Sequence, residues 1–185
     1  QDEARDVLPR VLDAAGIRQA ILLGHADGGS IAAVYAVESR DPLLCGMITI
    51  AEHLFVEALN IASICQIGAE SRSTDMRQKL AQYHRDPDMA FHGWCDSWLH
   101  PDFRSFDITA SLSGIAVPVL GLQGADDPYG TEAQLDALRQ GVRAPLTTML
   151  IPDARHAPHL QAKQAIVDAI ARFVRRLPLR WSAPS

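Results

Sequence analysis

Cysteine is scarce in this chain. Three occur in 185 residues, Cys45, Cys65 and Cys95, an odd number at no metal-type spacing. That excludes a disulfide framework and a cysteine metal site, and makes the reducing cytoplasm the expected location. Long apolar runs are lacking too: none reaches the length needed to span a bilayer. The opening "QDEARDVLPRVLDAAG" reads as a helix and not as a signal peptide. There is no run of Lys and Arg, and the formal net charge is -5. Both facts argue against nucleic acid or an anionic membrane as partner. Repeats, low-complexity tracts and flexible linkers are also missing. What remains is 48% apolar and 21% charged, ordinary for one globular domain with a real core.

The pattern that is present alternates. Leu8, Val11, Leu12 and Ala15 recur at helical spacing, and Gly16 closes the helix. "RQAILLG" has strand length and composition, "GGSIAAVYAVESR" is a helix stopped by Asp41-Pro42, and "LCGMITIA" is a second buried strand. Residues 52–112 break the rhythm, leaning helical in "FVEALNIASICQIGA" and "TDMRQKLAQYHRD". "VPVLGLQG" (strand), "TEAQLDALRQGV" (helix), "LTTMLIP" (strand) and the amphipathic "LQAKQAIVDAIARFVRRL" then complete the chain. Continuous Val/Ile/Leu strands alternating with helices predict an α/β fold with a parallel sheet covered on both faces. Right-handed crossovers bring the strand C-termini to one edge, where sites of such folds lie. The predicted organisation is a core of residues 1–51 and 113–185 with 52–112 as a helical cap or lid.

Three strand ends carry chemistry. "GHADG", residues 24–28, has the spacing of a strand-to-helix nucleophile elbow, with Ala26 at its apex. Gly24 and Gly28 flank the apex, where side chains are expected to collide with neighbouring backbone. The N–H of Asp27 at the helix start is the candidate oxyanion donor, and its side chain a candidate cap. His25 is expected to line the pocket or pack beside the elbow. "GADDPYGT" offers an acid, Asp127 in preference to Asp126, and "DARHAPHL" offers His156. A metal on Asp153, His156 and His159 is disfavoured, because Pro158 keeps the two imidazoles off a common helical face. In "FHGWCDSWLHPDF", Trp94 and Trp98 lie one turn apart and read either as an aromatic wall over a substrate or as packing. Cys95 is far from the elbow in sequence and is a poor substitute nucleophile. The basic end "RFVRRLPLR" reads as a solvated helix face.

Elbow, acid and histidine occur in the order used by one known class of triad. On these residues the chain resembles an α/β-hydrolase-fold protein of the esterase and carbon–carbon-bond hydrolase kind. "GHADGGSIA" is similar to that family's "GHSDGG" elbow with Ser replaced by Ala, "LQGADDPYGT" to its acid loop and "HAPHLQ" to its histidine loop. The resemblance covers essentially the whole chain. It implies Asp127 and His156 as acid and base and the seat of a nucleophile at Ala26. It further implies a small apolar or aromatic carboxylic ester or lactone as substrate, and no cofactor or metal. Carbon–carbon cleavage of a vinylogous diketone is a further reading.

Three accounts of Ala26 remain: a deliberate Ser→Ala replacement, a natural loss that leaves a protein binding a small molecule or partner, and a plain tight turn. Retention of acid and base argues for them in that order. The family also has strands ahead of the first one here, so the edge of "RQAILLG" is expected to be covered by an N-terminal segment or by a second copy.

Overall fold

The computed structural model describes residues 2–39, 41–71 and 74–178. Gln1 of the opening helix, Arg40 at the end of the second helix, and Leu179 and Arg180 of the basic tail lie outside the described residues.

A π-helical turn, Glu3–Val7, leads into α1 (Leu8–Ala14), which Gly16 ends at φ 65°. Then come β1 (Ala20–His25), α2 (Asp27–Glu38) and β2 (Leu44–Ile50). After three further helices, α3 (Ala58–Glu70), α4 (Met76–Ala81) and α5 (Pro87–Leu99), the alternation resumes. It runs through β3 (Val119–Gly124), α6 (Ala133–Gly141), β4 (Leu146–Ile151), α7 (Pro158–Gln161) and α8 (Lys163–Arg176). The four strands form one parallel sheet in the order β1-β2-β3-β4. His25 pairs with Ile50, Ile50 with Leu122, and Gly124 with Ile151, so all four strands end at the same edge.

The two faces of the sheet are covered differently. On one, Ile48, Ile50, Leu120 and Leu122 pack with Ile166 and Phe173 of α8. Each such fully buried side chain contributes about 1.5–3 kcal/mol. On the other, small residues let helices approach closely. A Cβ on Gly121 would lie 2.6 Å from Leu138 Cδ1 of α6, and one on Gly24 would lie 2.1 Å from the Gly28 carbonyl oxygen of α2. The closing helix expected over 160–177 is divided. Pro158, which has no N–H to donate, starts the one-turn α7, and Ala162 at φ -123°, ψ 45° separates it from α8.

The described residues up to Leu54 and from Ile108 onward make one compact unit, and Phe55–Asp107 make another. The first unit therefore includes both ends of the segment read as the cap. Leu54 donates its N–H to Gln134 Oε1 at 2.8 Å, Ile108 donates to the Leu54 carbonyl at 2.9 Å, and Leu112 is fully buried. The second unit is closed by an antiparallel bridge between Phe55 and Asp107. Its helices start on side-chain caps: Glu57 and Asn60 form a reciprocal box at α3, and Asp86 accepts the Met89 N–H before Pro87-led α5. No helix among the described residues is long and apolar enough to cross a membrane.

Candidate active site

The chain leaves β1 at His25 and enters α2 at Asp27, so the whole reversal falls on Ala26. Its φ of 50° and ψ of -123° lie where an L residue is strained, at a cost of about 1–3 kcal/mol. The strained peptide is held on both sides. Ala26 donates its N–H to the Ile50 carbonyl at 2.9 Å, and its own carbonyl accepts from Gly29 at 2.8 Å and Ser30 at 3.1 Å. Asp27 thus opens the helix with its N–H ahead of that ladder, at the positive end of the dipole. The crowding expected at Gly28 falls elsewhere. A Cβ there would meet nothing within 4 Å, whereas one on Gly24 would run into the Gly28 carbonyl and one on Gly29 would lie 2.8 Å from Glu52 Cβ. The reason is geometric: the helix crosses the strand over Gly24 and Gly29, and Gly28 faces away.

His156 sits in the loop between β4 and α7, and its Nδ1–H points at Asp127, 2.9 Å from Oδ2 and 3.1 Å from Oδ1. Asp126 is exposed; Asp127, whose side chain has no exposed surface, is the residue facing the imidazole. Two further donors hold the carboxylate, Gln123 Nε2 at 2.8 Å and the Tyr129 N–H at 2.8 Å. Gln123 is itself fully buried and also donates to the Gly130 carbonyl at 2.9 Å. Gln123 has no local sequence signature beyond its place at a strand end, two residues short of the turn.

The His156 ring lies among other rings. His25 is 4.9 Å away, Tyr129 meets it edge-on at 4.7 Å, and His53 stacks at 5.9 Å. His25 Nε2–H donates to the His156 carbonyl at 2.7 Å, which ties the residue before the apex to the histidine loop. Burial, more than anything else, holds the His25 imidazole below its ordinary pKa, and the neighbouring imidazoles push the same way. It is therefore neutral near pH 7. His159, on α7, packs edge-on against His25 at 4.7 Å. Among the described residues no group of three His, Cys, Asp or Glu side chains is arranged to hold a metal ion.

Beneath the elbow lies Glu52, fully buried against Gly29. Neither of its carboxyl oxygens has a hydrogen bond of ordinary geometry, and the nearby Thr49 hydroxyl is buried and unpaired as well. Burial pushes the Glu52 carboxyl up to about 7; its own N–H and Thr49 offset only part of that.

Two residues of nucleophilic type, Ser30 and Cys95, are held in unreactive settings. Ser30 Oγ donates to the His53 carbonyl at 2.7 Å and accepts the His53 N–H at 3.1 Å, so its hydroxyl is committed. Burial pushes the Cys95 thiol up, away from thiolate. In the second unit, Trp98 is buried edge-on against Phe103 at 4.9 Å, and Trp94 is half-buried 6.1 Å from Phe91.

No protein-family model and no curated protein matches this sequence. Solved structures do. One is described as a putative non-heme bromoperoxidase, BpoC, from Mycobacterium tuberculosis H37Rv: 17% identical, TM-score 0.68, covering 93% of this chain and 72% of that one. Another is MGS-M2, an α/β hydrolase from a Medee basin deep-sea metagenome library: 18% identical, TM-score 0.67, covering 96% and 73%. A third is a proline iminopeptidase of Mycobacterium smegmatis: 16% identical, TM-score 0.66, covering 92% and 70%. Likeness at this level of identity establishes the fold, that of the α/β hydrolases.

Proposed function

We propose that the chain carries the acyl-transfer site of a carboxylic ester hydrolase, with the nucleophile's seat occupied by alanine. One observation carries this reading. Asp127 holds His156 through Nδ1 at 2.9 Å, in a loop hydrogen-bonded to His25, the residue before the strained apex. With serine at 26, the hydroxyl attacks the carbonyl carbon, and His156 takes the proton at Nε2 and returns it to the leaving alcohol. Asp127 keeps the imidazole in the Nδ1–H tautomer and balances its positive charge. The Asp27 N–H receives the oxyanion. A second cycle with water releases the acid. No step calls on a cofactor or metal.

Substrates of this reading are small apolar or aromatic esters or lactones. With Ala26 no acyl-enzyme forms on the elbow. A protein that binds the same small molecules without acylation is the second reading, favoured by Ala26 itself. The test is hydrolysis of short- and medium-chain aryl esters by Ala26→Ser, beside the chain as written and Ala26→Ser combined with His156→Ala. A gain of activity that the histidine change removes supports the hydrolase. A folded Ala26→Ser protein that binds aryl esters and cleaves none transfers support to the binding protein.

A further inference from the structure

We propose that the chain with Ala26 in place retains a slower activity of its own, in which His156 delivers a water molecule directly to an activated ester carbonyl. This rests on reading Asp127 and His156 as an acid–base pair, and it goes beyond that reading by dispensing with the covalent intermediate.

Four features of the structure support it. The base is complete without serine: its tautomer is set by Asp127, not by the nucleophile. Among the described residues Nε2 of His156 has no hydrogen-bond partner, and the side chain is 23% exposed. The charge that arises on His156 is not opposed from His25, which burial keeps neutral, and is balanced by the fully buried Asp127 carboxylate. Two neighbouring hydroxyls do not stand in water's place. Ser30 Oγ is committed to the His53 backbone, and burial pushes the Tyr129 phenol above its ordinary value, so it stays protonated beside the imidazole.

The step balances. The water oxygen bonds to the carbonyl carbon as one of its protons passes to His156 Nε2, and the carbonyl oxygen becomes an oxyanion at the Asp27 N–H. When the oxyanion collapses, the bond from carbon to the leaving oxygen breaks. The proton returns from Nε2 to that oxygen, giving acid and alcohol.

The experiment uses p-nitrophenyl acetate with four proteins: the chain as written, His156→Gln, Asp127→Asn and Ala26→Ser. Circular dichroism checks that each is folded, and intact mass looks for an acetyl adduct. The expected result for the chain as written is saturable hydrolysis about 10²-fold above His156→Gln. It is slowed by Asp127→Asn and by deuterium oxide, and has no burst and no adduct. Ala26→Ser should give a burst and an adduct. If the chain as written is no faster than His156→Gln while Ala26→Ser is active, the water route is overturned and the acid–base reading stands. If both fail to exceed His156→Gln, the two fall together. An acetyl adduct on the chain as written also overturns the water route, because it reveals another nucleophile.

Discussion

Glu52 is the residue least at ease in its surroundings. A carboxyl with no exposed surface and, among the described residues, no hydrogen bond of ordinary geometry is tolerated when neutral and is expensive when charged. Its ordinary pKa of 4.5 is pushed to about 7 in the fold. Below pH 4.5 it is neutral in both folded and unfolded chains, and the fold loses nothing. As pH rises from 4.5 toward 7 the unfolded chain gives up the proton and the folded one keeps it, so stability falls. Above about 7 both are ionised and the loss levels off, at roughly 3 kcal/mol as an upper bound. Urea unfolding at pH 5 and pH 8 should show this decline, and Glu52→Gln should flatten it. Gln123 is also buried, and its amide nitrogen donates two hydrogen bonds, although its Oε1 has no partner among the described residues. Gln123→Leu leaves Asp127 Oδ2 and the Gly130 carbonyl short of a donor, and should cost about 1–3 kcal/mol in urea unfolding. In the Ala26→Ser background it should lower kcat by roughly 10- to 100-fold with little change in KM, because the imidazole is displaced and not the substrate.

At the scale of elements, the elbow is a strand and a helix forced into contact. Gly24→Ala puts a methyl group into the Gly28 carbonyl and should destabilise the chain by at least about 3 kcal/mol. Gly28→Ala meets nothing and, lying within α2, should instead stabilise it by up to about 1 kcal/mol. Urea unfolding of the two variants separates a glycine required by contact from one that is not. The sequence shows "GHADG" as an elbow but makes its two flanking glycines look equivalent. Which one is crowded depends on how α2 crosses β1, and that is not written locally. The same limit explains the closing helix. Its apolar spacing runs unbroken from 160 to 177, yet the chain turns at Ala162, and the turn sets His159 against His25.

For the molecule as a whole, the order β1-β2-β3-β4 leaves β1 as an edge strand among the described residues. It carries the apolar run "AILLGH", with Leu23 at 53% exposure. An apolar edge of this kind pairs with another copy of itself unless something covers it. Sedimentation should show the chain self-associating as concentration rises, and Leu23→Lys should reduce that association without changing the circular dichroism spectrum.

What the sequence determined by itself was the alternation of strands and helices, the parallel sheet, and the placing of Ala26, Asp127 and His156 at three strand ends. Those follow from apolar periodicity and turn residues, which act over a few positions. The tertiary structure alone decided the rest. It held the Asp127 carboxylate with Gln123, tied His25 to the histidine loop, and buried Glu52 against Gly29. The hydrogen bonds of His156 join residues far apart in the chain at one sheet edge, 29 positions away for Asp127 and 131 for His25. No local pattern records how such pairs will pack.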